Sequence, residues 1–209
     1  MDLYGSNELV KVGCGDCKGC HTCCQGMGES ILLDPYDFYQ LQLATGLGFA
    51  SLMQKKIALT MEQGIILPHL KMQEQTDACA FLNTEGRCSI HAHRPGLCRL
   101  FPLGRKFDER GLRYFLLEDA CQIKNKTKVK VKKWLEIPAL SQYEEFLISW
   151  HDLRKELMAF VKRNGVTDEQ IKWVNLTFLE VFFSQPYALE EDFYTQYAKR
   201  KNLYREKLG

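Results

Sequence analysis

Five cysteines within eleven residues are the most informative feature of this sequence. The stretch from 14 to 24 reads CGDCKGCHTCC and contains Cys14, Cys17, Cys20, Cys23 and Cys24. A metal-binding cysteine is a thiolate, and thiolates held a few ångströms apart repel each other by roughly 4 kcal/mol per close pair at an effective dielectric constant near 20. Few basic residues lie nearby in sequence to offset this repulsion. A bound cation or a cationic cluster is therefore the natural compensation.

Two spacings overlap in this stretch and favour different sites. Counted from Cys14 without Cys23, the spacing C-x2-C-x2-C-x3-C matches the bacterial ferredoxin motif, with Gln25 in place of its proline. Counted from Cys17, the spacing is C-x2-C-x2-C-C and ends in the adjacent pair Cys23 and Cys24. Adjacent cysteines are awkward ligands for one small ion and easier to accommodate around a multi-iron cluster or across two sites. Alternatively, one of the pair is a small buried hydrophobic residue.

The remaining cysteines lie in a second region, which must fold back onto the first to complete a site. They are Cys79, Cys88, Cys98 and Cys121. Residues 79 to 90 predict two short strands around a turn. With a loop from Asn83 to Gly86, Phe81 would face Cys88, and Cys79 would lie diagonally across on the same face. Residues 91 to 102 predict a short helix bounded by prolines.

Taken in order, these motifs resemble the CxxCxxCC family of zinc- or iron-chelating, YkgJ-like proteins. The motifs are the C-x2-C-x2-C-C run, Cys79-x8-Cys88, the segment HRP-x2-CR-x-FP from His93 to Pro102, and Cys121, over roughly residues 14 to 137. The resemblance implies eight metal ligands, with Cys14 as an extra cysteine: Cys17, Cys20, Cys23, Cys24, Cys79, Cys88, Cys98 and Cys121. The family includes the cysteine-rich part of flagellin lysine N-methylase, which implies a protein-modifying enzyme as one alternative function.

The spacing favours an iron–sulfur centre over zinc. Zinc sites usually combine two separated C-x2-C pairs, whereas here one segment supplies four or five sulfurs, as in iron–sulfur proteins. We therefore expect one or two iron–sulfur clusters of the [4Fe-4S] type in a redox or catalytic role. Thiolates suit both metals, so a zinc-stapled structural or interaction module is a further alternative. Additional ligation by His91 or His93 stays open.

Two arginines lie beside the predicted ligands of the second region. Arg94 and Arg99 could donate hydrogen bonds to cluster sulfurs, reduce the net negative charge and raise the reduction potential. Alternatively, they form a salt bridge or cap that orders the segment from His93 to Pro102.

Composition indicates an ordinary globular protein. The chain has 209 residues, 45% hydrophobic and 26% charged, with a formal net charge of +2, which does not by itself indicate nucleic-acid binding. We see no secretory signal and no membrane-span-length apolar run, so we expect a cytoplasmic protein with reduced thiols and no membrane partner. Nine is an odd number of cysteines, so a framework of disulfide pairs would leave one cysteine unpaired. The sequence does not identify a protein or small-molecule partner.

The elements around the cysteines are short. We expect helices over residues 35 to 44 and 49 to 59, an interrupted strand over residues 60 to 70, and a hairpin from Phe107 to Leu117. The basic run from Lys124 to Lys133 alternates with valines and predicts a solvated edge strand. A nucleic-acid or acidic-partner surface is the less favoured interpretation of this run.

Beyond residue 138 the hydrophobic period becomes helical. An apolar stripe from Tyr143 to Phe160, a capping box from Thr167 to Gln170, and an aromatic-rich segment from about Leu189 to Leu208 predict three helices. We thus predict an α+β fold with small antiparallel hairpins and short helices around a cysteine metal centre. A cysteine-cluster domain (residues 1–137) and a helical C-terminal section (residues 138–209) would form one compact unit.

Overall fold

The computed structural model of this protein describes residues 1–13, 20–121 and 123–208. The strands are β1 (Leu9–Gly13), β2 (Ile57–Glu62), β3 (Ile65–Leu70), β4 (Leu103–Asp108), β5 (Gly111–Leu116) and β6 (Thr127–Lys130). The helices are α1 (Pro35–Thr45), α2 (Phe49–Lys55), α3 (Gly96–Leu100), α4 (Val131–Leu135), α5 (Leu140–Val161), α6 (Asp168–Leu179) and α7 (Phe193–Leu208). Our predictions for Cys14 and Cys17 fall outside the described residues.

The predicted α+β class is confirmed. Within the described residues, the strands form three two-stranded antiparallel sheets, which pair β1 with β6, β2 with β3, and β4 with β5. The second and third sheets are local hairpins. The first sheet joins the start of the chain to the end of the cysteine-rich region, with Val10 opposite Val129. This sheet therefore closes the cysteine-rich region on itself.

Helix α1 begins and ends where the local sequence signals place it. Asp34 is the N-cap, and it forms a capping box in which its side chain accepts from the amide of Asp37 at 2.8 Å. Gly46 ends the helix in the left-handed conformation, with φ of 67°. Phe38 and Leu41 are fully buried. The helix is thus held by its caps at both ends and by one apolar face.

The predicted helix over residues 49 to 59 is too long. Helix α2 ends at Lys55, and strand β2 begins at Ile57, which is fully buried opposite Leu70. The interrupted strand predicted over residues 60 to 70 is a hairpin, turning through Gln63 and Gly64 at positive φ. The pairing of β2 with β3 in this hairpin outweighs the helical propensity of the residues after Lys55.

The pairing predicted within residues 79 to 90 is wrong by one residue. Leu82, rather than Phe81, lies opposite Cys88, and this contact is an isolated bridge. The side chain of Asn83 accepts hydrogen bonds from two amides of the turn, including that of Arg87 at 2.8 Å, and so sets a wider loop. Residues 91 to 102 form two pieces, a 3₁₀ turn at His91–His93 and helix α3.

The basic run forms only a short strand. Strand β6 ends at Lys130, and Val131 begins helix α4 with a fully buried side chain. The predicted alternation therefore stops where this valine enters the core. The hairpin predicted around residues 108 to 111 is confirmed as β4 and β5.

The C-terminal section contains the three predicted helices. The capping box of Thr167 and Gln170 is present, and the stripe of α5 is buried, with Trp150 stacked on Phe178 at a ring-centroid distance of 5.1 Å. Helix α6 continues into a π-helical turn at Glu180–Ser184. Helix α7 begins at Phe193, later than predicted. Residues of both sections belong to one buried hydrophobic cluster. None of the helices in the described ranges combines the length and apolar character needed to cross a membrane.

Candidate metal centre

Backbone pairing brings the end of the first cysteine run against the second cysteine region. Residues Thr22–Cys24 form a 3₁₀ turn, after which Gln25 forms a bridge with Ala78. The amide of Cys79 donates a hydrogen bond of 2.7 Å to the carbonyl oxygen of Cys24. Two cysteines separated by more than fifty residues in sequence are thereby fixed next to each other.

Cys88 and Cys98 are held on the same side by two further contacts. The bridge between Leu82 and Cys88 returns the chain toward Cys79. Helix α3, which carries Cys98, is anchored at its first residue, because the amide of Gly96 donates to Oδ1 of Asp37 at 2.7 Å. This anchor ties the position of Cys98 to helix α1.

Five thiols from these segments perturb one another electrostatically, which shows that they converge in space: Cys23, Cys24, Cys79, Cys88 and Cys98. The adjacent pair shares a hydrogen bond between its side chains. Accepting that bond from Cys24 lowers the pKa of Cys23 to about 7, against the opposing effect of burial. The same bond raises the pKa of Cys24, and burial and the neighbouring thiolates raise it further. The two sulfurs of the pair therefore titrate as a coupled unit.

Burial is the main reason why the other three thiols resist ionisation. It raises the pKa values of Cys79, Cys88 and Cys98, and the neighbouring thiolates add to the effect. Opposing this, the amide of Phe81 donates to Sγ of Cys79 at 3.5 Å, and a backbone hydrogen bond from Ile90 lowers the pKa of Cys88. Both donors lie two residues after their cysteine. Such amides stabilise a thiolate and are typical of sulfurs that bind metals.

A family model named CxxCxxCC and described as "Putative zinc- or iron-chelating domain" matches residues 16–132. The chain belongs to the CxxCxxCC family. No curated protein and no solved structure matches it. The family description supports metal binding, and the converging thiols are soft donors that suit both zinc and iron.

The described thiols of this CxxCxxCC domain converge without forming the geometry of a metal site. Among the residues that the structure describes, no three side chains of Cys, His, Asp or Glu are arranged as a ready metal site. A cysteine side chain has a single χ1 torsion, so small rotations can change which sulfurs face a shared centre. The structure thus shows convergence of the donors, and the donor chemistry fits the metals that the family description names.

Two predicted ligands of the CxxCxxCC domain have contacts away from these five thiols, and one lies outside the described residues. Cys20 is exposed, with Sγ 3.5 Å from Oγ1 of Thr22. Cys121 is half-buried, and its carbonyl oxygen accepts from Nζ of Lys126 at 2.7 Å. Cys17 lies outside the described residues.

The two arginines of the family motif have different contacts. The guanidinium of Arg94 lies close enough to lower the pKa values of Cys23 and Cys88. Its Nη1 atom also contacts the imidazole ring of His91, 3.2 Å from Nδ1. Arg99 instead donates to the carbonyl oxygens of Arg94 and Ala92, which orders the backbone before helix α3. Arg94 therefore faces the thiols, whereas Arg99 holds the segment in shape.

The two histidines of the segment are placed differently from metal ligands. Nδ1 of His93 lies 2.9 Å from Oε1 of Gln40 on helix α1. With that oxygen as acceptor, Nδ1 of His93 carries the proton. The ring of His91 contacts the guanidinium of Arg94. Burial, and then the charge of Arg94, lower the pKa of His91. Both rings thus have protein partners in the described residues.

A pair of buried aspartates supports the helix that carries Cys98, and the sequence analysis did not identify this role. Asp34 and Asp37 are buried, and burial raises both carboxyl pKa values, to about 8 for Asp34. The charge of Arg105 partly opposes this rise. A Cβ atom on Gly96 would lie 2.2 Å from Oη of Tyr143, so glycine is required where α3 meets α5. The capping box at α1 is readable from sequence, but its contact with Gly96 spans 59 residues and has no local signal.

A cavity of about 350 Å³ opens beside the segment that carries Arg94. Its wall includes residues from α1, from the 3₁₀ turn, from α3 and from the connection between α4 and α5: Tyr36, Gln40, His91, His93, Arg94, Arg99, Glu136 and Ile137. Arg94 thus lines the cavity, and its charge also lowers the pKa values of Cys23 and Cys88.

Proposed function

We propose that this chain is a cysteine-ligated iron–sulfur protein that binds a [4Fe-4S] cluster in a redox or catalytic role. The convergence of five thiols, from three separate parts of the described chain, is the observation that carries this proposal. A tetrahedral zinc site needs four ligands, whereas the family motif supplies eight cysteines and the adjacent pair Cys23–Cys24 suits a larger centre. Such a cluster would supply one-electron redox chemistry.

Cys23, Cys24, Cys79, Cys88 and Cys98 are the ligand candidates with the strongest structural support. The amides of Phe81 and Ile90 would hold the sulfurs of Cys79 and Cys88 as thiolates. Cys17, Cys20 and Cys121 complete the predicted set of eight and would serve a second site. Arg94 would place a positive charge beside the sulfurs and raise the reduction potential, whereas Arg99 would keep the Arg94 backbone in position.

Anaerobic purification followed by a visible spectrum and by iron, sulfide and zinc quantification tests the proposal directly. We expect a brown protein with iron and acid-labile sulfide in equal amounts. Stoichiometric zinc in a colourless, air-stable protein without iron would refute the iron–sulfur assignment and support a zinc-stapled module. A protein that retains neither metal would contradict both assignments.

Cysteine variants identify the ligands. Cys88→Ser and Cys98→Ser should each lose most of the iron, because a hydroxyl is a poor substitute for a soft thiolate. Cys14→Ser is the matched control, since Cys14 lies outside the family's set of eight, and it should keep the parent iron content. If Cys98→Ser retained the full metal content, Cys98 would not be a ligand.

A further inference from the structure

The cavity beside Arg94 carries more positive charge than its surroundings neutralise. Arg94 and Arg99 both line it, and Glu136 is the only acidic residue in its wall as described. Glu136 lies at the open rim with a side chain that is 66% exposed, and its oxygen is 3.9 Å from Nη2 of Arg94. An exposed ion pair at that distance is weak. The arginines therefore retain capacity for another anion.

The donors of Arg94 are not all satisfied by the protein. Its Nε atom is buried and has no hydrogen-bond partner among the described residues. Leaving a buried donor of a charged group unsatisfied is costly. Arg94 is also largely shielded, with a side chain only 18% exposed. A carboxylate placed in the cavity could accept from the Nη end of this guanidinium, whose ion pair with Glu136 is long.

The rest of the wall is apolar or neutral. Tyr36, Ile137 and Pro138 also line the cavity. Glu136 at the rim would repel a second negative charge on a ligand. A monoanion with an apolar body matches this distribution better than a compact dianion such as phosphate.

We propose that this cavity is a binding site for a small organic monocarboxylate. The carboxylate contacts Arg94 and Arg99, and the apolar body packs against Tyr36, Ile137 and Pro138. The volume of about 350 Å³ lies within the range of small-molecule sites. Since Arg94 also faces Cys23 and Cys88, the bound ligand lies next to the metal centre. The proposal does not depend on which metal the thiols hold.

Calorimetric titration of the purified holoprotein with benzoate, acetate and inorganic phosphate tests the proposal. Benzoate has both the carboxylate and a flat apolar body, so we expect a dissociation constant of about 1 mM or below. Acetate lacks the apolar body and phosphate lacks it while adding charge, so both should bind more weakly. Undetectable benzoate binding, or phosphate binding tighter than benzoate, would overturn the proposal.

Charge variants show whether the ligand is in this cavity. Arg94→Gln should weaken benzoate binding at least about tenfold. Arg110→Gln is the matched control, because Arg110 is exposed in the β4–β5 turn, and it should bind as the parent does. Glu136→Gln removes the repulsive rim charge and should tighten binding about two- to fivefold.

Metal content measured on every variant separates this proposal from that of the metal centre. If Arg94→Gln loses metal or fails to fold, Glu136→Gln still tests whether benzoate binds in this cavity. The side chain of Glu136 is exposed, and if Glu136 had only a structural role, replacing it would not tighten benzoate binding. Equal affinities in the parent and Glu136→Gln would place the ligand elsewhere and refute the site.

Discussion

Replacing Asp37 with alanine should destabilise the protein far more than the loss of an ordinary helix cap. Its Oδ2 accepts from the amide of Asp34 at 3.1 Å, which completes the capping box of α1. Its Oδ1 accepts from the amide of Gly96 at 2.7 Å, at the start of the helix that carries Cys98. Asp37 is almost fully buried, so water cannot replace either bond.

The expected loss follows from these two bonds. Removal of a cap costs about 1 kcal/mol. A buried amide left without its carboxylate acceptor costs a further roughly 1–3 kcal/mol. We therefore expect Asp37→Ala to lose about 2–4 kcal/mol of unfolding free energy. In a chain of this size, a loss of about 3 kcal/mol lowers the melting temperature by about 6–12 °C.

Asp192→Ala is the matched control. Asp192 caps α7 by accepting from the amide of Thr195 at 2.7 Å, but it is exposed and has no described contact with the cysteine segments. Its replacement should cost only about 1 kcal/mol. Asp37→Asn keeps one acceptor oxygen and should fall between the two alanine variants.

The assay is thermal unfolding of metal-loaded protein, combined with metal retention during competition with a chelator. Asp37→Ala should also release metal faster than Asp192→Ala, because Gly96 positions the helix of Cys98. If both alanine variants melted at the same temperature and retained metal equally, Asp37 would be only a helix cap. The argument that it ties α1 to the metal centre would then be refuted.

Three further changes test other parts of the fold. Burial raises the pKa of Asp34 to about 8, so the folded state holds a proton that the unfolded state releases from about pH 4 upward. The unfolding free energy should therefore fall as pH rises from 4 to 8, by at most about 1.4 kcal/mol per pH unit. The variant Asp34→Asn preserves the helix cap, so urea titrations of this variant should show a smaller dependence on pH. Asn175→Ala should cost about 2–4 kcal/mol in the same titrations, since the buried amide makes three hydrogen bonds of 2.7 to 3.0 Å, and a loss below 1 kcal/mol would contradict this. Gly64→Ala should cost more than Gly28→Ala: both glycines have positive φ, but only at Gly64 would the new Cβ clash, 2.6 Å from Val161.

Local signals explain the parts of the fold that were predicted correctly. The ends of α1 are set by the Asp34 cap, by Pro35 and by Gly46, because each of these residues acts on groups within one helical turn. The Thr167 capping box and the buried stripe of α5 are equally local. The β4–β5 hairpin follows from its turn, in which Gly111 has φ of 92°.

The incorrect predictions involve pairing, burial or side-chain contacts that the residue pattern alone does not reveal. Helix α2 stops at Lys55 because Ile57 pairs with Leu70. The alternation of the basic run ends because Val131 enters the core at the start of α4. The pairing at Cys88 shifts by one residue because the side chain of Asn83 holds a wider loop. In each case a pairing or burial partner decided between two locally acceptable conformations.

The sequence by itself supplied the candidate donors: thiols at the spacing of the family motif, with Arg94 and Arg99 close to Cys98 in the chain. Only the tertiary structure decided which thiols converge, since that depends on the Cys79–Cys24 backbone bond and on the Asp37–Gly96 anchor. It also decided that Arg94 faces both the thiols and a cavity. The physical reason is that residue type sets which chemistry is available, whereas convergence requires backbone hydrogen bonds and buried contacts between segments that no local pattern encodes.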